Sequence, residues 1–201
     1  MALVTGLLVA IEGPKYVGKS TVIAQLRSRS ADTHDWVFTK EPTDAFDLGN
    51  EQNYRGADLA RLIADDRARH IRDVIEPALQ RGQVVITDRY VLSSFVFHCL
   101  DGVPVEVVAD LNERFRRPDL LIILQSSAAA LATRRASRTT QTRLSEAISS
   151  EAEILGYITY ASRCRPISGE VLFCYNEVVT DCDQIAGRII AEVCTKRAPH
   201  A

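Results

Sequence analysis

Gly13, Gly18, Lys19 and Ser20 stand in the spacing G-x-x-x-x-G-K-S, inside the stretch "EGPKYVGKST" that runs from Glu12 to Thr21. Glycines so spaced let a chain curl until successive backbone N–H groups converge, and a helix starting next to them adds the positive end of its dipole. That is phosphate chemistry. Gly13, Tyr16, Val17, Gly18, Lys19, Ser20 and Thr21 would form the cradle, with the Lys19 ammonium on the β- and γ-phosphates and the Ser20 hydroxyl on Mg²⁺. An ordinary glycine turn before a helix is the competing reading, and the complete motif in a strand-to-helix context argues against it. A second pair, Asp88-Arg89, closes the apolar run "QVVITDRY". An acid at a neighbouring strand end organises magnesium, although an aspartate there also serves as a turn residue or helix N-cap. Arg89 offers a planar guanidinium suited to bidentate binding of a second phosphate group.

Such groups act together only if strands deliver them to one edge. Leu7 to Ile11 is a short apolar run ahead of the loop, and Val22, Ile23 and Leu26 follow with helical spacing. "DWVFTKEP" (Asp35 to Pro42) reads as a second strand. From Ala57 to Gln80 the apolar residues Leu59, Leu62, Ile63, Ile71, Val74, Ile75 and Leu79 predict a helical region, with Pro77 as a kink. "QVVITDRY", "PDLLIILQ" (Pro118 to Gln125) and "EVLFCYN" (Glu170 to Asn176) read as further strands, and a helix from Asp183 to Cys194 closes the chain. Continuous apolar strands alternating with helices predict an α/β fold with a parallel sheet covered on both faces, its chemistry at the C-terminal strand ends.

Length and charge narrow the partners. At 201 residues and a formal net charge of −2, the chain has the size of one globular domain, and it lacks the basic surface that a nucleic-acid binder needs. A small anionic ligand fits better. The five cysteines form no C-x-x-C pair and read as reduced thiols in a cytoplasmic protein. No apolar segment is long enough to cross a bilayer, and the apolar start reads as a buried strand.

Several segments together resemble the thymidylate kinase family of P-loop kinases. They are "IEGPKYVGKST", "TKEPTD" (Thr39 to Asp44), "DDRARHIRDVIEPALQRGQVVITDRYVLSS" (Asp65 to Ser94) and "RPDLLIIL" (Arg117 to Leu124), in family order over the first two-thirds of the chain. The resemblance implies a single P-loop NTPase-fold domain over residues 1–201 with a small lid at about 134–150. It further implies transfer of the γ-phosphate of ATP, with Mg²⁺, to the 5′-phosphate of a nucleoside monophosphate, and a homodimer. Carried onto this chain, it implies that Arg89 holds the acceptor phosphate and that Arg67 lies over the nucleobase and phosphate region. Glu41, Pro42, Ser94 and the position of His98 would lie on the acceptor side, with Asp88 assisting the metal or the transferring group. Arg134 and Arg138, in "LATRRASR", resemble the basic helix leading into the lid, for which a solvated helix face is the alternative.

This sequence also departs from the family. The position of Lys15 usually holds an acid that accepts from the deoxyribose hydroxyl, and an ammonium cannot accept. The family's stacking phenylalanine aligns with Ile63, and its base-reading amide with His98. The stretch between "EPTD" and "DDR" is shorter than usual, and Tyr16 stands where some members place a catalytic arginine. These changes predict an acceptor other than plain thymidylate, with transition-state charge met by Lys15 or by Arg134, Arg135, Arg138 and Arg143. A solvent-facing Lys15 and a merely packed His98 are the alternatives at those positions. Two other functions stay open: a nucleoside kinase that uses Glu41 or Asp44 as base, and a nucleotide-binding module without catalysis.

Overall fold

The computed structural model describes residues 6–31, 35–136, 143, 147–164, 171–178 and 181–197. Five strands form one parallel sheet in the order β2-β3-β1-β4-β5: β1 Leu7–Glu12, β2 Trp36–Lys40, β3 Val84–Asp88, β4 Leu120–Gln125 and β5 Val171–Tyr175. The helices are α1 Lys19–Arg29, the single turn α2 Asn50–Asn53, α3 Gly56–His70, α4 Glu76–Gln80, α5 Val91–Leu100, α6 Val105–Asn112, α7 Ala128–Ala136, α8 Ser150–Tyr160 and α9 Asp181–Arg197. A π turn, Ile71–Ile75, joins α3 to α4. Pro77 lacks an N–H and its ring crowds the carbonyl four residues back, so the predicted kink takes the form of this widened turn.

Alternation along the strands divides the core in two. Leu8, Ala10, Val85, Leu121 and Ile123 face a cluster that includes Leu59, Leu92, Val96, Val108 and Tyr157 of α3, α5, α6 and α8. Val9, Ile11, Ile86, Ile122 and Leu124 face the opposite cluster, with Val22, Leu26, Leu131, Ile185 and Ile189 of α1, α7 and α9. Helices therefore cover both faces, which is why β1, β3 and β4 are apolar almost throughout.

Register then fixes the chemistry. Ile11 and Lys40 both pair with Asp88, so Glu12, Glu41 and Arg89 emerge together at one edge. Main-chain bonds from Arg89 to Ile11 O and from Glu41 to Asp88 O, both 2.9 Å, continue the alignment past the strand ends. The chain leaves β1 toward β2 but leaves β4 toward β5, and that reversal opens the crevice where an α/β sheet binds ligands. The five cysteines are free thiols, and among the described residues no helix is long and apolar enough to cross a membrane.

Candidate active site

The glycine loop lies between β1 and α1. Gly13 (φ 143°) and Gly18 (φ 97°) hold backbone conformations that side chains rarely adopt, and a Cβ at Gly13 would come 2.5 Å from the Leu124 carbonyl oxygen. At Gly18 it would strike the Asn176 amide, which donates to Val17 O at 2.6 Å and pins the loop to the end of β5. No side chain caps α1, so the donors of its first turn face the concavity of the loop. Lys19 Nζ donates to Gly13 O and Pro14 O, each at 2.9 Å. Burial, reinforced by the Arg89 charge, pushes the Lys19 pKa down to about 7 against the pull of Asp88, Glu153 and Glu12.

Arg89 joins this loop to the rest of the site. Its backbone is left-handed (φ 71°), which turns the side chain back over the strand ends. Nη1 donates to Tyr157 Oη at 2.7 Å, Ser93 Oγ at 3.0 Å and Gly13 O at 3.4 Å, and the guanidinium stands 4.9 Å from the centre of the Phe97 ring. Beneath it Glu12 is fully buried. Glu12 Oε1 accepts from the main-chain N–H groups of Tyr90 (2.9 Å) and Ser93 (3.1 Å), and Oε2 accepts from Ser93 Oγ at 2.5 Å. Glu12 thus caps α5 from the end of the neighbouring strand. Desolvation pushes its pKa up to about 7, opposed by the Ser93 hydrogen bonds and the Arg89 charge. Asp88 does not cap α5. Its Oδ1 is buried without a hydrogen-bond partner among the described residues.

That orphaned oxygen and the exposed Ser20 at the start of α1 are hard oxygen donors flanking the loop, a set that fits Mg²⁺. The glycine cradle likewise fits a triphosphate. Next to them a pocket opens, lined by Lys15, Glu41, Pro42, Glu51, Leu59, Ile63, Arg67, Arg89, Tyr90, Ser93, Ser94, Phe97 and His98. Its floor is a satisfied ionic network. Arg67 is 2% exposed and donates to Glu41 Oε2 (2.7 Å), Ser94 Oγ (3.0 Å), Tyr90 O (3.2 Å) and Asn112 Oδ1. Glu41 Oε1 is also paired with His70 Nδ1 at 3.0 Å. A buried arginine is tolerable because nearly every N–H finds an acceptor.

Sequence reasoning brought most of these residues to one place. Lys15 faces the pocket rather than solvent: its Nζ lies 4.9 Å from the Phe97 ring centre, and burial lowers its pKa to about 8 while Glu153 and Glu51 oppose the shift. His98 is buried with Nδ1 unpartnered among the described residues, and desolvation lowers its pKa to about 4, so it is neutral at pH 7. Arg134 reaches Asn176 O (2.9 Å), Glu177 O (2.8 Å) and Tyr16 O (3.5 Å), which puts it against the phosphate loop. Arg138 and most of the expected lid lie outside the described residues. Arg143 is described, and it forms a two-pronged pair with Asp101 at 2.7 and 3.0 Å instead of approaching the loop. Residues that sequence reasoning missed include Glu12, Glu51, Ser93, Phe97, Asn112 and Tyr157. Glu12 alone carried a signal, an acid at the end of an apolar strand directly before a glycine loop.

A parallel sheet with this loop after its first strand, and a buried lysine at the loop's end, defines an α/β P-loop fold of the kinase class. Comparison with known proteins narrows the class. The model of the thymidylate kinase family matches residues 11–155, and the chain belongs to that family. A probable thymidylate kinase of Thermococcus gammatolerans is 37% identical over an alignment of 137 residues, with 59% of this chain and 65% of that protein covered. The corresponding protein of Thermococcus onnurineus is 38% identical over 136 residues, with the same coverage. A thymidylate kinase of Xanthomonas oryzae pv. oryzae is 35% identical over 127 residues, 59% of this chain and 56% of its own length. The matched region thus spans about 65% of the first relatives, and Tyr157 lies beyond the end of the family match.

Proposed function

We propose that this chain is a nucleoside monophosphate kinase that passes the γ-phosphate of ATP to the 5′-phosphate of a nucleotide, with an acceptor site altered from that of ordinary thymidylate kinases. One observation carries the reading: Arg89 touches the phosphate loop at Gly13 O and also lines the neighbouring pocket. A guanidinium so placed holds an acceptor phosphate beside the donor's terminal phosphate. The acceptor phosphate oxygen forms a bond to the γ-phosphorus as the bond from that phosphorus to the β-phosphate oxygen breaks, and ADP leaves with the electron pair. That oxygen is already ionised, so no strong general base is needed.

Lys19 and the loop N–H groups cover the donor's charge, and the apolar wall of Leu59, Ile63 and Phe97 keeps water from competing. Magnesium, held by Ser20 and Asp88, would supply further neutralisation of the phosphate oxygens. The altered acceptor rests on Lys15, whose ammonium and the Arg89 guanidinium both stand 4.9 Å from the Phe97 ring centre. Two cations at one end of a pocket favour a more anionic acceptor. The hydroxyl-acceptor alternative fits less well: both Glu41 oxygens are engaged by Arg67 and His70, and Asp44 is an exposed partner of Lys40. A single catalytic unit with a lid over about 134–150, a cytoplasmic setting and a homodimer complete the proposal.

The test is Mg²⁺-dependent transfer from ATP to a panel of nucleoside monophosphates, with Lys19→Ala as control and Lys15→Asp beside the wild type. We expect transfer to an acceptor other than thymidylate, and thymidylate activity gained by Lys15→Asp. Fast wild-type turnover of thymidylate would sink the altered acceptor. ATP binding without transfer to any member would leave a nucleotide-binding module. Light scattering on the full chain reads the oligomeric state.

A further inference from the structure

Glu51 is the acid of the pocket that keeps a carboxylate oxygen without a hydrogen-bond partner among the described residues, although Lys15 and Arg143 both feel its charge. It sits on the single turn α2, in the stretch joining β2 to α3, and lines the pocket together with Lys15, Ile63 and His98. Its Oε2 is buried and accepts no hydrogen bond among the described residues. Glu41, the other acid of the pocket, has both oxygens engaged. A buried carboxylate oxygen without a donor has given up its hydration for nothing, a penalty that a bound donor removes.

The backbone around Glu51 is held, so the side chain has a defined place to point. Arg143 Nε donates to Glu51 O at 2.8 Å while its two terminal nitrogens grip Asp101 at 2.7 and 3.0 Å. Asp101 follows α5, the helix that contributes Ser94, Phe97 and His98 to the same pocket. Gly56 N, at the start of α3, also approaches Asp101 Oδ2, at 3.4 Å. The single turn is thereby tied to both helices that form the pocket walls.

We propose that Glu51 selects the acceptor by taking a hydrogen bond on Oε2 from a hydroxyl or N–H group of the bound nucleotide. The pocket then has two chemically distinct ends. Arg89 and Lys15 attract the anionic end of the ligand, and Glu51 requires a donor group elsewhere on it. A carboxylate in this position repels a ligand that presents a bare acceptor, because two acceptors would face each other without a proton between them. The selected class is a nucleoside monophosphate carrying a donor hydroxyl or ring N–H, and analogues without that donor are rejected.

This inference rests on the kinase reading, and its test separates the two. Glu51→Gln preserves shape while offering a neutral amide, and Glu51→Ala removes the group. Both are compared with the wild type on acceptors that lack, one at a time, the 2′-hydroxyl, the 3′-hydroxyl or the base N–H. We expect the acceptor KM to rise about tenfold or more in both variants, with the ATP KM unchanged and the urea midpoint no lower than that of the wild type, because each variant removes an unsatisfied buried carboxylate oxygen. The loss should vanish for the one analogue whose missing group is the donor to Glu51. An unchanged acceptor KM, or an equal loss across every analogue, overturns the proposal. If the wild type transfers phosphate to none of the panel, the kinase reading falls, and calorimetric binding of the same monophosphates then decides Glu51. Binding weakened by Glu51→Gln supports it; absent or indifferent binding overturns it.

Discussion

The phosphate loop and the adjoining pocket share Arg89 but are built on opposite principles. The loop spans residues 13–21, and its working groups are mostly main-chain N–H groups, whose direction depends on two glycines and the start of a helix. The pocket is made of side chains from the loop, the β2 end, the single turn α2, and helices α3 and α5. A backbone site tolerates changes of side chain but no Cβ at Gly13 or Gly18. A side-chain site tolerates backbone drift but not the loss of one partner from its network. The difference teaches where each can be broken, and by how much.

The largest effect belongs to the loop's one indispensable side chain. Lys19→Met should lower kcat/KM by about 10³-fold, the scale of losing a preorganised charge donor at a phosphoryl group. Folding should respond in the opposite sense. The Lys19 pKa falls from 10.5 unfolded to about 7 folded, so between those values the unfolded chain binds more protons and wild-type stability rises with pH. Lys19→Met should flatten that rise, seen as urea midpoints that no longer climb between pH 7 and 8, below the range in which Lys15, lowered to about 8, adds a rise of its own. The same shift predicts that ATP binding to the wild type weakens above pH 7, because the ammonium must be protonated to pair with phosphate. A midpoint series that still climbs between pH 7 and 8 in Lys19→Met would assign that slope to another group.

Next in size is the pocket's floor. Arg67→Met leaves Glu41 buried with only His70 as partner, and stability should fall by about 3–5 kcal/mol. Adding Glu41→Gln should recover part of the loss, because the stranded charge is then gone. Denaturant unfolding of both variants checks this. Full additivity of the two substitutions would mean that the pair is not coupled, and would break the contrast between a networked pocket and a local loop.

That contrast also explains what could be read in advance. The loop was legible because its function is local: eight positions, two of them glycine, specify both conformation and chemistry. The sheet was legible for a related reason, since strands buried on both faces become continuous apolar runs such as "VVITD" and "LLIILQ". Apart from Arg89, which its place at a strand end marked, the pocket was legible only where the family resemblance supplied positions, as at Arg67 and His98. Tyr157 reaches Arg89 across 68 positions of sequence and Asn112 reaches Arg67 across 45, and no periodicity marks such pairs. Glu51 lies in a stretch that sequence alone describes only as shortened, and its main chain is held by Arg143, 92 positions along the chain, which also grips Asp101.

Glu12 stands at the seam of the two regions and gives a smaller, pH-dependent effect. Its pKa rises from 4.5 to about 7 on folding, so between those values the folded protein holds the extra proton and stability falls as pH rises. A shift of that size corresponds to at most about 3 kcal/mol. Glu12→Gln keeps an acceptor for the Tyr90 and Ser93 N–H groups and can donate to Ser93 Oγ. Relative to the wild type, whose profile also carries an opposing rise from His98 with its pKa lowered to about 4, the variant should therefore gain stability between pH 4.5 and 7 and exceed it at pH 7.5 and above. Urea midpoints that track the wild type at every pH would show that Glu12 is not the titrating group.

The smallest effect tests whether helix α8 belongs to the loop's kind of construction or the pocket's. Ser149 caps it by accepting from Ala152 N at 3.2 Å, and four and eight residues further on the helix presents Glu153 and Tyr157. Glu153 Oε2 accepts from Lys15 N at 2.7 Å, and Tyr157 Oη accepts from Arg89 at 2.7 Å. Ser149→Ala removes one cap bond and should cost about 1 kcal/mol of stability. If buried Tyr157 and its contacts with Phe97 and Arg89 hold the helix in register, kcat/KM below the melting transition should change less than twofold, because a frayed first turn does not move the second. A larger loss in kcat/KM at unchanged ATP affinity would mean that the cap itself sets the position of Arg89. The pocket would then depend on a local main-chain feature, as the loop does, and the division between the two regions would fail at its seam.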